Sequence, residues 1–196
     1  MKKFFLFCVI LNLTAIGSIF ISDDKAIAIS TSKTIVNRVR NQFSPINFNG
    51  VKLADAIRID QYTISYARRL AQTEIGSYKK AKSIYDWITQ RIAYDFDKVE
   101  SGTCVGAQDT FRKRKGTCLD YALLFSAFCS ANDIENRIIV GTAWTGKRWG
   151  NHAWNEFYDS EKRKWVQVDC TFGISKNSFD IVEDAIYKNS WIASEF

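Results

Sequence analysis

Apolar residues recur at helical spacing through the middle of the chain and at strand spacing towards its end. Ala81, Ile84, Tyr85, Ile88 and Ile92 fall three or four positions apart and predict one buried helical stripe. A preceding helix is expected to begin near Gln61 and to end before Gly76, read as a C-cap glycine, with Ser77 able to cap the next. Tyr94-Asp95 should leave the second helix in an extended conformation. Residues 107–115 read as a short helix stopped by Gly116. From Cys118 to about Asn132 the chain is apolar almost all round, which predicts a central, buried helix. Beyond Asp133 the pattern changes. Residues 137–144, 151–158 and 164–171 read as strands, with a turn at Thr145-Gly146-Lys147 and a four-residue loop at 159–162. Residues 180–189 are expected to close the chain with a short helix. Helices followed by antiparallel strands make an α+β plan, with the cysteine-bearing helix packed on the sheet.

The first 28 residues stand apart from this plan. Lys2 and Lys3 precede an apolar run over residues 4–21, and Ala26-Ile27-Ala28 matches a small-x-small cleavage pattern. The expectation is an exported protein, secreted or held at the cell envelope. Its leader is either removed after Ala28 or kept as a membrane anchor through residues 4–21. Residues 29–60 read as an irregular N-terminal extension and residues 61–196 as one domain. The net charge is +6; losing residues 1–28 removes three lysines and two aspartates and leaves +5. Such a charge would steer an exported protein towards anionic envelope polymers. Nucleic acid is not an expected partner, because no base-reading motif is present. The basic run Arg112-Lys113-Arg114-Lys115 is either a solvated last helical turn or a surface that attracts acidic substrate.

Candidate chemistry centres on Lys115-Gly116-Thr117-Cys118-Leu119-Asp120-Tyr121-Ala122. Thr117 is a good N-cap, and Asp120 supplies the acidic half of a capping box. This puts Cys118 at the first helical position. There the unpaired N–H groups and the helix dipole favour a thiolate and can also hold an oxyanion. Beyond Cys118, the thiols of Cys104, Cys129 and Cys170 show no C-x-x-C pair. One disulfide among them is possible by count, but spacing does not choose it. With one histidine in the chain, a zinc site is not expected, and no cofactor is implied.

His152 is that histidine, so any imidazole chemistry falls to it. With a loop at 159–162, Tyr158 would face Arg163, and His152 would then sit directly opposite Asp169 on one face of the sheet. Trp154 would face Gln167 and shield the pair. A carboxylate there fixes the imidazole tautomer and leaves the second ring nitrogen for a thiol. Trp144, Trp149 and Trp154 are either core or the walls of an acceptor channel.

Three motifs in this order resemble those of the transglutaminase-like superfamily: Gly116-Thr117-Cys118-Leu119-Asp120-Tyr121-Ala122, then Asn151-His152-Ala153-Trp154-Asn155-Glu156, then Val168-Asp169-Cys170-Thr171. The segment Ile92-Ala93-Tyr94-Asp95 is similar to the one preceding them in that family. The resemblance covers roughly residues 77–173. It implies a papain-like α+β core with a Cys118-His152-Asp169 triad, and Tyr94 as a helper of the oxyanion hole. It implies an acyltransferase, amidase or peptidase acting on protein or peptide amides, by crosslinking or by hydrolysis. The alternative is a non-catalytic envelope-binding module that keeps the fold. No acidic loop suited to Ca²⁺ is present, so calcium activation is not carried over.

Overall fold

The structure is a computed structural model that describes residues 47–48, 51–99, 103–182 and 185–196. The expected leader, residues 1–28, and its apolar run at 4–21 lie outside the described residues. Among those described, no helix is long and apolar enough to cross a membrane.

A minimal ribbon, β1 (Asn47–Phe48) and β2 (Val51–Lys52), opens the described fold. It leads into the short helix α1 (Leu53–Ala56). Leu53 and Ile57, from the stretch expected as an extension, are buried in the main core. Helix α2 (Gln61–Ala71) starts at Asp60, whose carboxylate accepts from the Thr63 N–H at 2.8 Å. It ends earlier than expected, and Gly76 serves as the N-cap position of α3 (Ser77–Arg91) rather than as a C-cap. The α3 stripe is as the spacing predicts: Ala81, Ile84, Tyr85, Ile88 and Ile92 are all buried.

Helix α4 (Ala107–Lys113) stops two residues short of the expected end, because Arg114 turns left-handed at φ 57. The chain then forms a two-residue parallel pairing between β3 (Ala93–Tyr94) and β4 (Lys115–Gly116). Gly116 is required at this point, since a Cβ there would lie 2.6 Å from the Asp120 Cβ. All four cations of the basic run are engaged within the fold. Arg112 pairs with Asp60, Lys113 with Asp109, and Lys115 with Asp95 and Asp97. The Arg114 guanidinium lies 4.5 Å over both the Trp87 and Phe111 rings. Arg112, Lys113 and Lys115 are thus partners in surface ion pairs, as in a solvated helix end, and Arg114 is packed on two rings.

Helix α5 (Cys118–Ala131) is the centre of the molecule, buried on nearly every side. It packs on α2, α3, α4 and the sheet. That sheet is antiparallel, in the order β7-β6-β5-β8, with β5 (Asn136–Trp144), β6 (Trp149–Asp159), β7 (Lys164–Val168) and β8 (Tyr187–Glu195). Asn155 reaches from β6 to the Ala122 carbonyl and the Ser126 hydroxyl, which fixes α5 against the sheet.

Strand β8 overturns the expected closing helix over 180–189. The chain instead supplies a partner for the open edge of β5, with register shifts between Ile138 and Ile139 and between Val140 and Thr142. Tyr187, Trp191 and Ile192 suit a strand better than a helix. Gly141 permits the close passage of β8, since a Cβ there would meet the Lys188 carbonyl oxygen at 2.9 Å.

Candidate active site

Cys118 occupies the first position of α5, held by the capping arrangement the sequence predicts. One oxygen of Asp120 accepts from the Thr117 N–H at 2.8 Å and from the Thr117 hydroxyl at 3.0 Å. Its other oxygen accepts from the Cys104 thiol at 2.9 Å and from the N–H groups of Val105 and Gly106 at 2.7 and 3.0 Å. Asp120 is fully buried. It ties the incoming loop at 104–106 to the turn that aims Cys118. Cys118 itself is partly exposed.

His152 and Asp169 meet, though not as directly opposed residues. The connection between β6 and β7 has four residues, as expected, but runs over 160–163 instead of 159–162. Asp159 starts the turn by accepting from the N–H groups of Glu161 and Lys162, and Arg163 closes it at φ 53. Tyr158 therefore pairs with Trp165, and Gln167 with Glu156 rather than with Trp154. A one-residue loop displacement moves every partner by two, so the alternation of faces survives. Strand β7 ends at Val168 because Asp169 turns its carboxylate on the chain ahead, accepting from the N–H groups of Thr171 and Phe172 at 2.9 and 3.0 Å. From that position Asp169 Oδ2 reaches diagonally to His152 Nε2 at 2.7 Å.

The pair is dry: His152 is 6% exposed and Asp169 0%. The imidazole stacks on Phe172, with ring centroids 4.6 Å apart and planes 14° apart. Trp154 and Tyr187 lie near-parallel to it at 5.9 and 6.4 Å. The Cys118 side chain also lies close enough to the ring to favour its protonated form. With Nε2 on the carboxylate, Nδ1 is the nitrogen that faces sulfur. Burial disfavours a charged ring, but the charge and hydrogen bond of Asp169 outweigh it, aided by Cys118, and the imidazole is pushed up to about 10. The fold thus binds the ring's proton more tightly than the unfolded chain, where the value is 6.5. The resulting stability is complete below about pH 6.5 and is lost as pH rises through about 10. Denaturant unfolding across that range should show the decline in the native sequence and a much flatter profile in Asp169→Asn.

Tyr94 reaches the same point because β3 pairs Tyr94 with Gly116. Its phenol lies beside Cys118; burial and then the neighbouring thiol hold it in its protonated form. Such an arrangement can pass the sulfur proton to an imidazole and receive a developing oxyanion beside a helix start.

The tryptophans do not act as one group. Trp154 is core, whereas Trp144 and Trp149 face each other at the tip of the β5–β6 hairpin, each 39% exposed. Cys104, Cys118, Cys129 and Cys170 are all free thiols. Cys129 and Cys170 are fully buried, and that burial keeps them protonated. No group of three or more His, Cys, Asp or Glu side chains that could hold a metal is found among the described residues. Phe172 and Tyr187 were not singled out from sequence. Tyr187 falls in the stretch misread as helix, where strand propensity was the available signal.

Residues 64–170 match the family model described as the transglutaminase-like superfamily. The chain belongs to the transglutaminase-like superfamily. A relative in Drosophila melanogaster, peptide-N(4)-(N-acetyl-beta-glucosaminyl)asparagine amidase, is 28% identical over 104 residues, 48% of this chain and 14% of that protein. Among solved structures, a proposed cysteine protease of Cytophaga hutchinsonii superposes with a TM-score of 0.50 at 24% identity, over 74% of this chain and 54% of its own. The periplasmic domain of TgpA from Pseudomonas aeruginosa gives 0.47 at 19% identity, over 60% and 44%. The chain thus spans about half or less of each relative's length. The Cytophaga structure shares the papain-like α+β fold of this transglutaminase-like domain.

Proposed function

We propose that this transglutaminase-like protein is a thiol-dependent acyltransferase or amidase acting on protein or peptide amide bonds. The observation that carries the reading is the buried His152–Asp169 pair, at 2.7 Å, set against a cysteine at a helix start. Cys118 sulfur, its proton held by His152, attacks the amide carbonyl. The Cys118 N–H and the Tyr94 hydroxyl receive the oxyanion. His152 returns the proton to the departing amine or ammonia, and the thioester remains. Water or an acceptor amine then adds to it, losing a proton to His152, and the thiolate leaves. The Drosophila relative is named for cleaving an amide, which supports this class of bond. The leader-like residues 1–28 favour work outside the cytoplasm.

Two measurements test the reading. Iodoacetamide should alkylate Cys118 rapidly near neutral pH and much more slowly in His152→Ala, as read by peptide mass spectrometry. Equal, slow labelling in both would favour a non-catalytic binding module. A glutamine-containing protein, offered with and without a labelled amine, separates ammonia release, amine incorporation and chain cleavage, with Cys118→Ala as control.

A further inference from the structure

One buried polar group reaches the site from an element outside the three motifs. Tyr187 begins β8, is 8% exposed, and packs its ring on Trp154 at 4.7 Å, beside Ile139 and Ala143. Its hydroxyl donates to Asp169 Oδ2 at 2.9 Å. That is the same oxygen that His152 Nε2 holds at 2.7 Å, while Oδ1 is taken by the Thr171 and Phe172 N–H groups. Asp169 therefore sits among four donors. Three of them, the imidazole and two backbone amides, would suffice to orient it. The fourth competes with the imidazole for charge on one oxygen. Hydrogen bonds to charged groups are stronger than neutral ones, so this competition is large enough to matter.

We propose that Tyr187 is a positioning residue: its hydroxyl shares the negative charge on Asp169 Oδ2 and so limits how tightly the His152 imidazolium is held. This inference rests on the acyl-transfer reading above. The consequence is an upper pH bound on the protonated His152 ring, set from the edge strand. Among the described residues, the following groups also lie around the ring or beside the groups that touch it. Asp169 faces it from the end of β7 and Cys118 from α5. Tyr94 on β3 touches the Cys118 thiol. Phe172 and Trp154 are uncharged, and the Lys176 ammonium lies 5.6 Å over the Phe172 ring.

The chain has a single histidine, so its imidazole resonances are unambiguous by NMR. In Tyr187→Phe the imidazole titration should move upward by roughly one pH unit, as the carboxylate charge falls more fully on the ring. Site-specific 3-fluorotyrosine at position 187 keeps the ring and makes the hydroxyl a stronger donor, so the step should move downward. A residue that only docked β8 would change the melting temperature and leave both titrations where they were. Unmoved steps, or shifts of the same sign in both variants, overturn the proposal. If Tyr187→Phe fails to fold, the fluorotyrosine protein decides alone. An unmoved step with a reactive Cys118 removes the role of Tyr187 only. A moved step with an inert Cys118 removes the acyl-transfer reading.

Discussion

Cys118→Ala is expected to cut turnover on the order of a million-fold, His152→Ala by a similar factor, and the double variant by little more, because such groups act as a unit. Asp169→Asn should cost about ten-thousand-fold, for a more specific reason. The Asp169 carboxylate only accepts, so the neutral ring keeps its proton on Nε2 and turns a lone pair at Nδ1 towards sulfur. An asparagine in the same place can present its NH₂ to Nε2. The ring then carries its proton on Nδ1, facing the thiol, and has nothing with which to accept another. Oδ1 already binds the Thr171 and Phe172 amides, which biases an asparagine to keep its oxygen there and turn its NH₂ to the histidine. The fold should survive this exchange, and alkylation of Cys118 near neutral pH should slow along with turnover. Full activity in Asp169→Asn would mean that His152 needs no orienting carboxylate.

The parts of this fold that were legible are those written in local sequence. The α3 stripe repeats every three or four residues, α5 is one almost continuous apolar run, and the Thr117–Asp120 cap spans a single turn. A period of two in β6 and β7 put His152 and Asp169 on one face even though the loop was placed one residue early. That error came from Asp159, whose side chain builds the turn while its backbone stays in the ladder opposite Lys164. Longer-range pairings were not legible. Strand β8 has a broken alternation where it bulges against β5, and what makes it a strand is the unpaired edge of a segment some fifty residues earlier. Tyr187 was lost with it. The β3–β4 pairing is two residues long, too short for any periodicity, yet it is what brings Tyr94 to Cys118. Within the site, the residues on α5, β6 and the end of β7 could be read. Those brought in by the sheet edge could not.

Asp120→Ala is expected to destabilise the fold by about 3–5 kcal/mol, from the loss of one side chain that accepts five hydrogen bonds. The Cys104 thiol and Thr117 hydroxyl can rotate to other acceptors. The N–H groups of Thr117, Val105 and Gly106 cannot. Each buried amide left unpaired costs roughly 1–3 kcal/mol, and water entering the space offsets part of that sum. At about 2–4 °C per kcal/mol for a domain of this size, the melting midpoint should fall by roughly 10 °C. Asp120→Asn keeps one carbonyl oxygen but turns an NH₂ towards donors on its other side, so it should fall between the native protein and the alanine variant. The effect reaches the site because the same carboxylate fixes Thr117, one residue ahead of the sulfur. Alkylation of Cys118 should therefore slow in Asp120→Asn under conditions where it remains folded. An Asp120→Asn protein that melts with the native one and labels at the native rate would show that Gly116, the β3–β4 pairing and the burial of α5 suffice to aim Cys118 without the carboxylate.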